Sequence, residues 1–214
     1  RDWLRSEFPF NNAYEKFDET TKKRKYYLQS RHIYNAWVDK GSKDLRNICE
    51  CAVGPWSLLQ RFKGLSNKTV FIEPDPKMAS EARVKYPWAN IVEVAIADSQ
   101  GKANLRKMGG SSYIKGIPWT PVFDANPAKA RRAGKVSVET VRFDSLDEGD
   151  IDILNLDCEG SEWFVIKNMV SRPHIIQIEL YKNNAFYSEI AAWLKNEGYQ
   201  EHARWGNANI IYTL

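Results

Sequence analysis

Hydrophobic positions along this chain alternate between two periods. The runs at 47–53, 69–73 (TVFIE), 90–95, 151–156 (IDILNL) and 174–180 (HIIQIEL) are short, apolar and rich in β-branched residues, so they predict strands. Between them the spacing is helical. Residues 56–62 predict a helix with Gly64 as its C-cap. Asp75 followed by Pro76 predicts an N-cap and a first helical residue, opening a helix through Tyr86. Residues 161–170 predict another helix. Phe186, Ile190, Trp193 and Leu194 recur at i, i+4, i+7 and i+8, which marks an amphipathic helix over 185–197 ended by Gly198.

The stretch 98–133 is less regular. SQGKANLRK (99–107) predicts a turn and a strand, and 135–143 a further strand. MGGSSYIKGIPWTPVFDANP (108–127) has two Gly-bearing spots and three Pro, and predicts a long surface loop. This loop, roughly 107–134, is expected to be a lid that sets the acceptor through Tyr113, Trp119 and Phe123. Residues 199–204 and 209–213 predict a closing antiparallel pair. Strands alternating with helices imply an α/β fold, a mostly parallel sheet with helices on both faces. Residues 1–45 read as an N-terminal helical extension and 46–214 as the α/β domain.

Composition narrows the class. A chain of 214 residues, 43% hydrophobic, can bury a core. No stretch reaches the roughly 18–20 apolar residues of a membrane span, and the start RDWLRSEF lacks the apolar centre of a secretory signal. It also lacks an initiator Met, so the chain is expected to be cut from a longer one. The three cysteines are Cys49, Cys51 and Cys158. The first two flank Glu50 on a predicted strand and are expected on opposite faces. The odd count fits neither a disulfide framework nor a zinc site, so a reducing, cytoplasmic compartment is expected. The formal charge of +4 permits an anionic partner without requiring one.

Four places carry candidate chemistry. ECAVGPWS (50–57) ends the first strand and turns into a helix, where ligands of open α/β sheets bind. Glu50 is placed to accept from a ligand ammonium group, and the plainer reading is an ordinary strand–turn–helix junction. Glu73 ends the second strand about twenty residues on, where nucleotide-binding folds use an acid to grip two ribose hydroxyls. Otherwise it is a surface acid before a Pro turn. DCEGSE (157–162) crowds three carboxylates at a strand's end. Asp157 and Glu159 suit base chemistry or a divalent cation, whereas Glu162 suits equally the positive end of a helix. Glu179 ends the next strand and is expected to face the same crevice as Asp157, its plainer role being an ion pair with Lys182.

The remaining candidates are weaker. His32, His174 and His202 are read as structural. The basic run 22–25 before Tyr26 is read as a solvated helix face, although basic residues beside aromatics also suit nucleic acid.

The block IDILNLDCEGSEWFVIKNM (151–169) resembles the signature of the FkbM methyltransferases. VFIEPDP (70–76), VEVAIADSQGKANL (92–105) and VETVRFDSL (138–146) resemble the family's acidic second strand, its third strand and the strand before the signature. The resemblance runs over about 47–180. It implies a class I, Rossmann-like methyltransferase fold that binds S-adenosyl-L-methionine and releases S-adenosyl-L-homocysteine. By resemblance, Glu50, Ala52 and Gly54 fall on the first motif, Glu73 and Pro74 on the ribose acid, and Ala95 and Ile96 near the adenine. Asp157 falls beside the cofactor. Asp157 and Glu159, helped by Glu179, are the expected catalytic carboxylates.

The first motif departs from the family's pattern. Ala52 and Trp56 replace a Gly and an Asn, and Pro55 stiffens the turn. The implied reaction is O-methylation of a sugar, glycan or small natural product. The alternatives are an RNA ribose 2′-O-methyltransferase, the viral cap type included, with Lys167 or Lys182 as activator, and a non-catalytic binding module. A divalent metal is compatible with the acids but is not expected. The oligomeric state is not legible.

Overall fold

The computed structural model describes residues 22–41, 44–54, 57–108, 112–117, 128, 132 and 134–214. Helix α1 (Lys22–Asp39) precedes β1 (Leu45–Cys51), β2 (Ser66–Ile72), α2 (Pro76–Lys85) and β3 (Asn90–Val92). Short strands β4 (Ala95–Ile96), β5 (Gly101–Lys107), β6 (Tyr113–Ile114) and β7 (Gly134–Val141) follow. The chain continues through β8 (Ile151–Leu156), α3 (Glu162–Ile166), β9 (Ile175–Glu179) and α4 (Tyr187–Asn196), and closes with β10 (Gln200–Trp205) and β11 (Asn209–Thr213).

The main sheet has seven strands in the order β10-β11-β9-β8-β1-β2-β3. From β9 to β3 every pairing is parallel, while β11 runs antiparallel to both β9 and β10. The order reverses beside β1, so the carboxyl ends of β1, β2 and β8 open on the crevice such a switch creates. A second sheet, β4-β7-β5-β6, flanks it.

Alternation sorts the side chains of the main sheet. Cys49, Cys51, Leu154, Leu156, Ile176 and Ile178 face one core with Val165, Ile166, Ile190 and Leu194 from α3 and α4. Ile48, Phe71, Ile153, Ile175 and Ile211 face the other, against Ile33, Trp37, Phe62 and Ala82. Helix α1 therefore packs on the same sheet as the rest of the chain. Cys49 and Cys51 share one face, contrary to the opposite faces expected, because residues two apart on a strand point the same way.

Several elements differ from their expected form. The helix over 56–62 is only a 3-10 turn, Leu59–Phe62. The single strand over 90–95 splits: β3 pairs with β2, while β4 leaves for the second sheet. Part of the expected loop is ordered as β6, whose Tyr113 and Ile114 pair with Arg106 and Leu105 and are buried. Trp119 and Phe123 lie outside the described residues. Helix 161–170 shrinks to α3, because buried Asp147 accepts the N–H groups of Val170 and Ser171 and pulls that segment into a turn. Asp75 caps α2 as expected, accepting from the Lys77 N–H at 2.9 Å. Among the described residues no helix is long and apolar enough to cross a membrane.

Candidate functional site

The turn after β1 is built by two buried acids. Glu50 is 2% exposed, and its carboxylate accepts from the N–H groups of Leu58 (2.7 Å) and Leu59 (3.0 Å), the Ser57 hydroxyl and the Asn155 amide (3.0 Å). These four donors occupy its acceptor sites, so Glu50 anchors the turn instead of receiving a ligand ammonium. Burial raises its pKa, and those hydrogen bonds pull it back down.

Glu73 is 5% exposed and reaches across from β2. One oxygen accepts from the Gly54 N–H at 2.8 Å and the other from the Asp75 N–H at 2.9 Å. Each oxygen keeps one lone pair beyond those bonds. Burial raises this pKa as well. Ala52, between the two acids, sits at φ +63°, a left-handed conformation that disfavours a side chain. Pro55 and Trp56 lie outside the described residues.

An open crevice lies above this turn. Ala52, Pro74, Ala95 and Ile96 line it, as the expected cofactor residues. Glu50, Gly54 and Glu73 do not line it. Cys51, Cys158 and Ser161 line the side nearest β8. Leu105, Tyr113 and Ile114 come from the second sheet, which puts Tyr113 of the expected lid on the crevice wall. Lys107 ties that sheet down by pairing with buried Asp75 at 3.2 Å.

Beside the crevice lie the signature acids. Cys51 pairs in register with both Ile72 and Leu156, so Glu73 and Asp157 each stand one residue past the same level of the sheet, either side of Ala52. Two strand spacings put them roughly 10 Å apart across it. The carboxylate oxygens of Asp157, Glu159 and Glu179 lie within 4.8 Å of one another. Burial together with the neighbouring charges of Glu179 and Glu159 holds the Asp157 pKa well above the usual carboxylate range. A shared proton accounts for such a pair. The same spacing suits a divalent cation, and its oxygen donors are of the type Mg²⁺ or Ca²⁺ takes.

Glu179 makes no bond of the expected kind to Lys182. It accepts instead from the Tyr181 hydroxyl (3.3 Å) and the Asn209 amide (3.2 Å). Burial and Glu179 push the Tyr181 pKa up to about 12. Asn209 in turn accepts from Gln29 of α1 at 2.9 Å. Lys167 pairs with Asp98 at 2.6 Å.

Sequence reasoning named Glu162 without this role and missed Asn209. Glu162 is buried, and its carboxylate accepts from the Cys158 N–H (2.8 Å) and the Gly160 N–H (3.0 Å). It holds the 157–160 turn, in which Glu159 sits at φ +51°, and burial raises its pKa. The three-residue offset from Glu159 was its only signal. Asn209 carried none, because its partners lie 30 and 180 residues away. His32 stacks edge-on against Trp205, and His174 lies against Trp37, both structural as expected.

The methyltransferase FkbM domain matches residues 47–201. No curated protein matches the chain by sequence. An FkbM methyltransferase from Methylobacillus flagellatus KT superposes with a TM-score of 0.51 at 14% identity, over 79% of this chain and 43% of that one. The chain thus spans less than half the length of that relative. A Pyrococcus horikoshii protein proposed to be an RNA methyltransferase superposes with a TM-score of 0.50 at 7% identity, over 96% of this chain and 89% of that one. With the family pattern covering most of its length, the chain belongs to the methyltransferase FkbM domain family.

Proposed function

We propose that this chain is an S-adenosylmethionine-dependent O-methyltransferase acting on a hydroxyl of a sugar, glycan or small natural product. The observation that carries the reading is a crevice adjoining three convergent carboxylates on one sheet edge. The cofactor's fit rests on the crevice's lining. Its floor is made of small side chains, Ala52, Ala95 and Ser161, that let a ligand approach the backbone. Its apolar wall of Ile72, Val94, Ile96 and Ile114 suits a base, and the spare lone pairs of Glu73 suit ribose hydroxyls.

Bound there, S-adenosylmethionine supplies a methyl group already activated on a sulfonium. The chain's residues then have two tasks. The first is to hold the acceptor oxygen in line with that methyl, which contributes much of the rate. The second is to take the hydroxyl proton. In the Asp157–Glu179 pair one carboxyl holds a proton and the other is open to accept. Tyr181 and Asn209 donate to Glu179 and hold its carboxyl in place as the acceptor of that proton. Asp157, carrying the shared proton, donates back to it.

The RNA reading needs a lysine set among these acids. Lys167 is engaged with Asp98 and Lys182 is exposed, so neither supports it.

Calorimetry with S-adenosylhomocysteine tests the first half. One-to-one binding is expected, with loss of binding in Ile96→Trp, which fills the crevice. No binding by the native chain overturns the reading. Transfer of labelled methyl groups to panels of sugars, polyketide-like alcohols and RNA tests the second half. Labelling confined to RNA would remove the small-hydroxyl acceptor.

A further inference from the structure

All three cysteines are free, and they form a continuous strip. Cys49 and Cys51 share a face of β1, and Cys158 follows the neighbouring strand β8 on the same side. Cys158 stands two residues past Leu156, the register partner of Cys51, and both cysteines line the same crevice. Cys51 is 1% exposed at the crevice floor, whereas Cys158 is half-buried, and both line the crevice. Nothing in the proposed transfer uses a thiol. The pair therefore has no assigned role, yet it occupies the wall between the expected cofactor pocket and the three carboxylates.

We propose that Cys51 and Cys158 are an oxidation site whose disulfide closes the crevice. The closing half of this proposal rests on the crevice being the cofactor pocket, and the bond-forming half does not. Cys158 is the sulfur a solvent-borne oxidant reaches, and Cys51 is the thiol behind it. A hydroperoxide transfers one oxygen to the Cys158 sulfur, giving a sulfenic acid and, from hydrogen peroxide, water. The Cys51 sulfur then attacks Cys158 and expels that oxygen as a second water. Two thiols are oxidised to one disulfide, and one peroxide is reduced.

Cys49 cannot compete for the same partner as easily. It lies two residues further back along β1, with Cys51 between it and Cys158.

The bond has a structural consequence. A disulfide draws two sulfurs to about 2.05 Å. β1 is a central strand paired on both sides and cannot yield. The turn 157–160 lies beyond the end of β8, where Glu159 and Gly160 hold positive φ and the Glu162 carboxylate accepts from its backbone. Oxidation therefore pulls Cys158 inward over the crevice floor and carries Asp157 with it.

The full chain, reduced and then treated with hydrogen peroxide, tests this. The expected results are loss of two hydrogens per chain by intact mass and a non-reducing peptide map joining the Cys51 and Cys158 peptides. Affinity for S-adenosylhomocysteine should fall at least tenfold by calorimetry and return with dithiothreitol. Far-ultraviolet circular dichroism should not change, which separates closure from unfolding. Cys158→Ser, whatever its own affinity, should give the same value before and after peroxide. A map joining Cys49 to Cys51, or sulfinic acid at Cys158 with no cross-link, overturns the site. A cross-link with unchanged affinity overturns the closure. Failure of the reduced chain to bind overturns the cofactor reading instead, and the peptide map still decides the thiol chemistry.

Discussion

At Ala52 and Glu159 the backbone holds a left-handed conformation without the glycine that would adopt it freely. Both flank the crevice, and strain of this kind collects at functional sites. The two positions differ in what a glycine would do. Glu159→Gly removes the strain and a like charge together, so its melting temperature should not fall, even though the carboxylate is gone. Glu159→Gln removes only the charge. Methyl transfer reduced in both, with stability kept or raised, would show that this residue is retained for chemistry. A lower melting temperature in Glu159→Gly would show that it braces the turn.

Glu162 should behave in the opposite way. Glu162→Ala strands two buried N–H groups, those of Cys158 and Gly160, at a cost of about 2–4 kcal/mol in urea unfolding. Glu162→Gln keeps an acceptor oxygen and should cost roughly half as much or less.

The elements divide by how local their causes are. The IDILNL strand was legible to the residue, because a fully buried parallel strand is a plain apolar run. The cap at Asp75 was legible for the same reason, being written within three residues. The strand Tyr113–Ile114 was not, since it exists by pairing with β5 in a second sheet whose edges no local pattern announces. The failure of helix 161–170 was hidden likewise. Its end is decided by Asp147, more than twenty residues upstream.

In the site the same rule applies. Asp157, Glu159 and Glu179 could be brought together from strand order alone. Glu50 could not be demoted to an anchor without seeing its four donors. The role of α1 was also concealed, because 1–45 reads as an appendage. Yet Ile33 and Trp37 are buried with sheet residues, and Gln29 reaches Asn209. Ile33→Ala should therefore cost about 2–4 kcal/mol of the stability of the whole cooperative unit, in one unfolding transition. A separate early transition confined to helix signal would show that α1 folds apart from the sheet.

On the scale of the whole molecule, the concentration of buried acids has a thermodynamic signature. Burial raises the pKa of Glu50, Glu73 and Glu162, and burial with neighbouring carboxylates raises that of Asp157 furthest. For an acid with a raised folded-state pKa, the folded chain binds more protons than the unfolded one as pH climbs past the ordinary carboxylate value. Stability is then full below that value and declines as pH rises through the folded pKa. Two groups act against this trend. His32 is lowered by burial and by His202, so its contribution grows as pH rises through its ordinary range. Glu201, lowered by its bond to Arg204, contributes stability that is lost only on acidification, and its exposure makes that small.

Four raised acids outweigh one histidine and one surface pair. The melting temperature should accordingly be higher near pH 5 than near pH 7.5, the reverse of ordinary acid sensitivity. Asp157→Asn makes the decisive comparison. The amide mimics the protonated carboxyl and can donate to Glu179, so this variant should melt higher than the native chain at pH 7.5 and about level with it at pH 5. Its pH slope should be visibly flatter. A native slope that rises from pH 5 to 7.5, or an Asp157→Asn slope equal to the native one, would mean that the acids at the crevice are not held together by a shared proton. The same variant joins stability to function. With Glu179 as the acceptor of the hydroxyl proton and the amide standing in for protonated Asp157, transfer should persist as the melting temperature rises, whereas Glu179→Gln should abolish it.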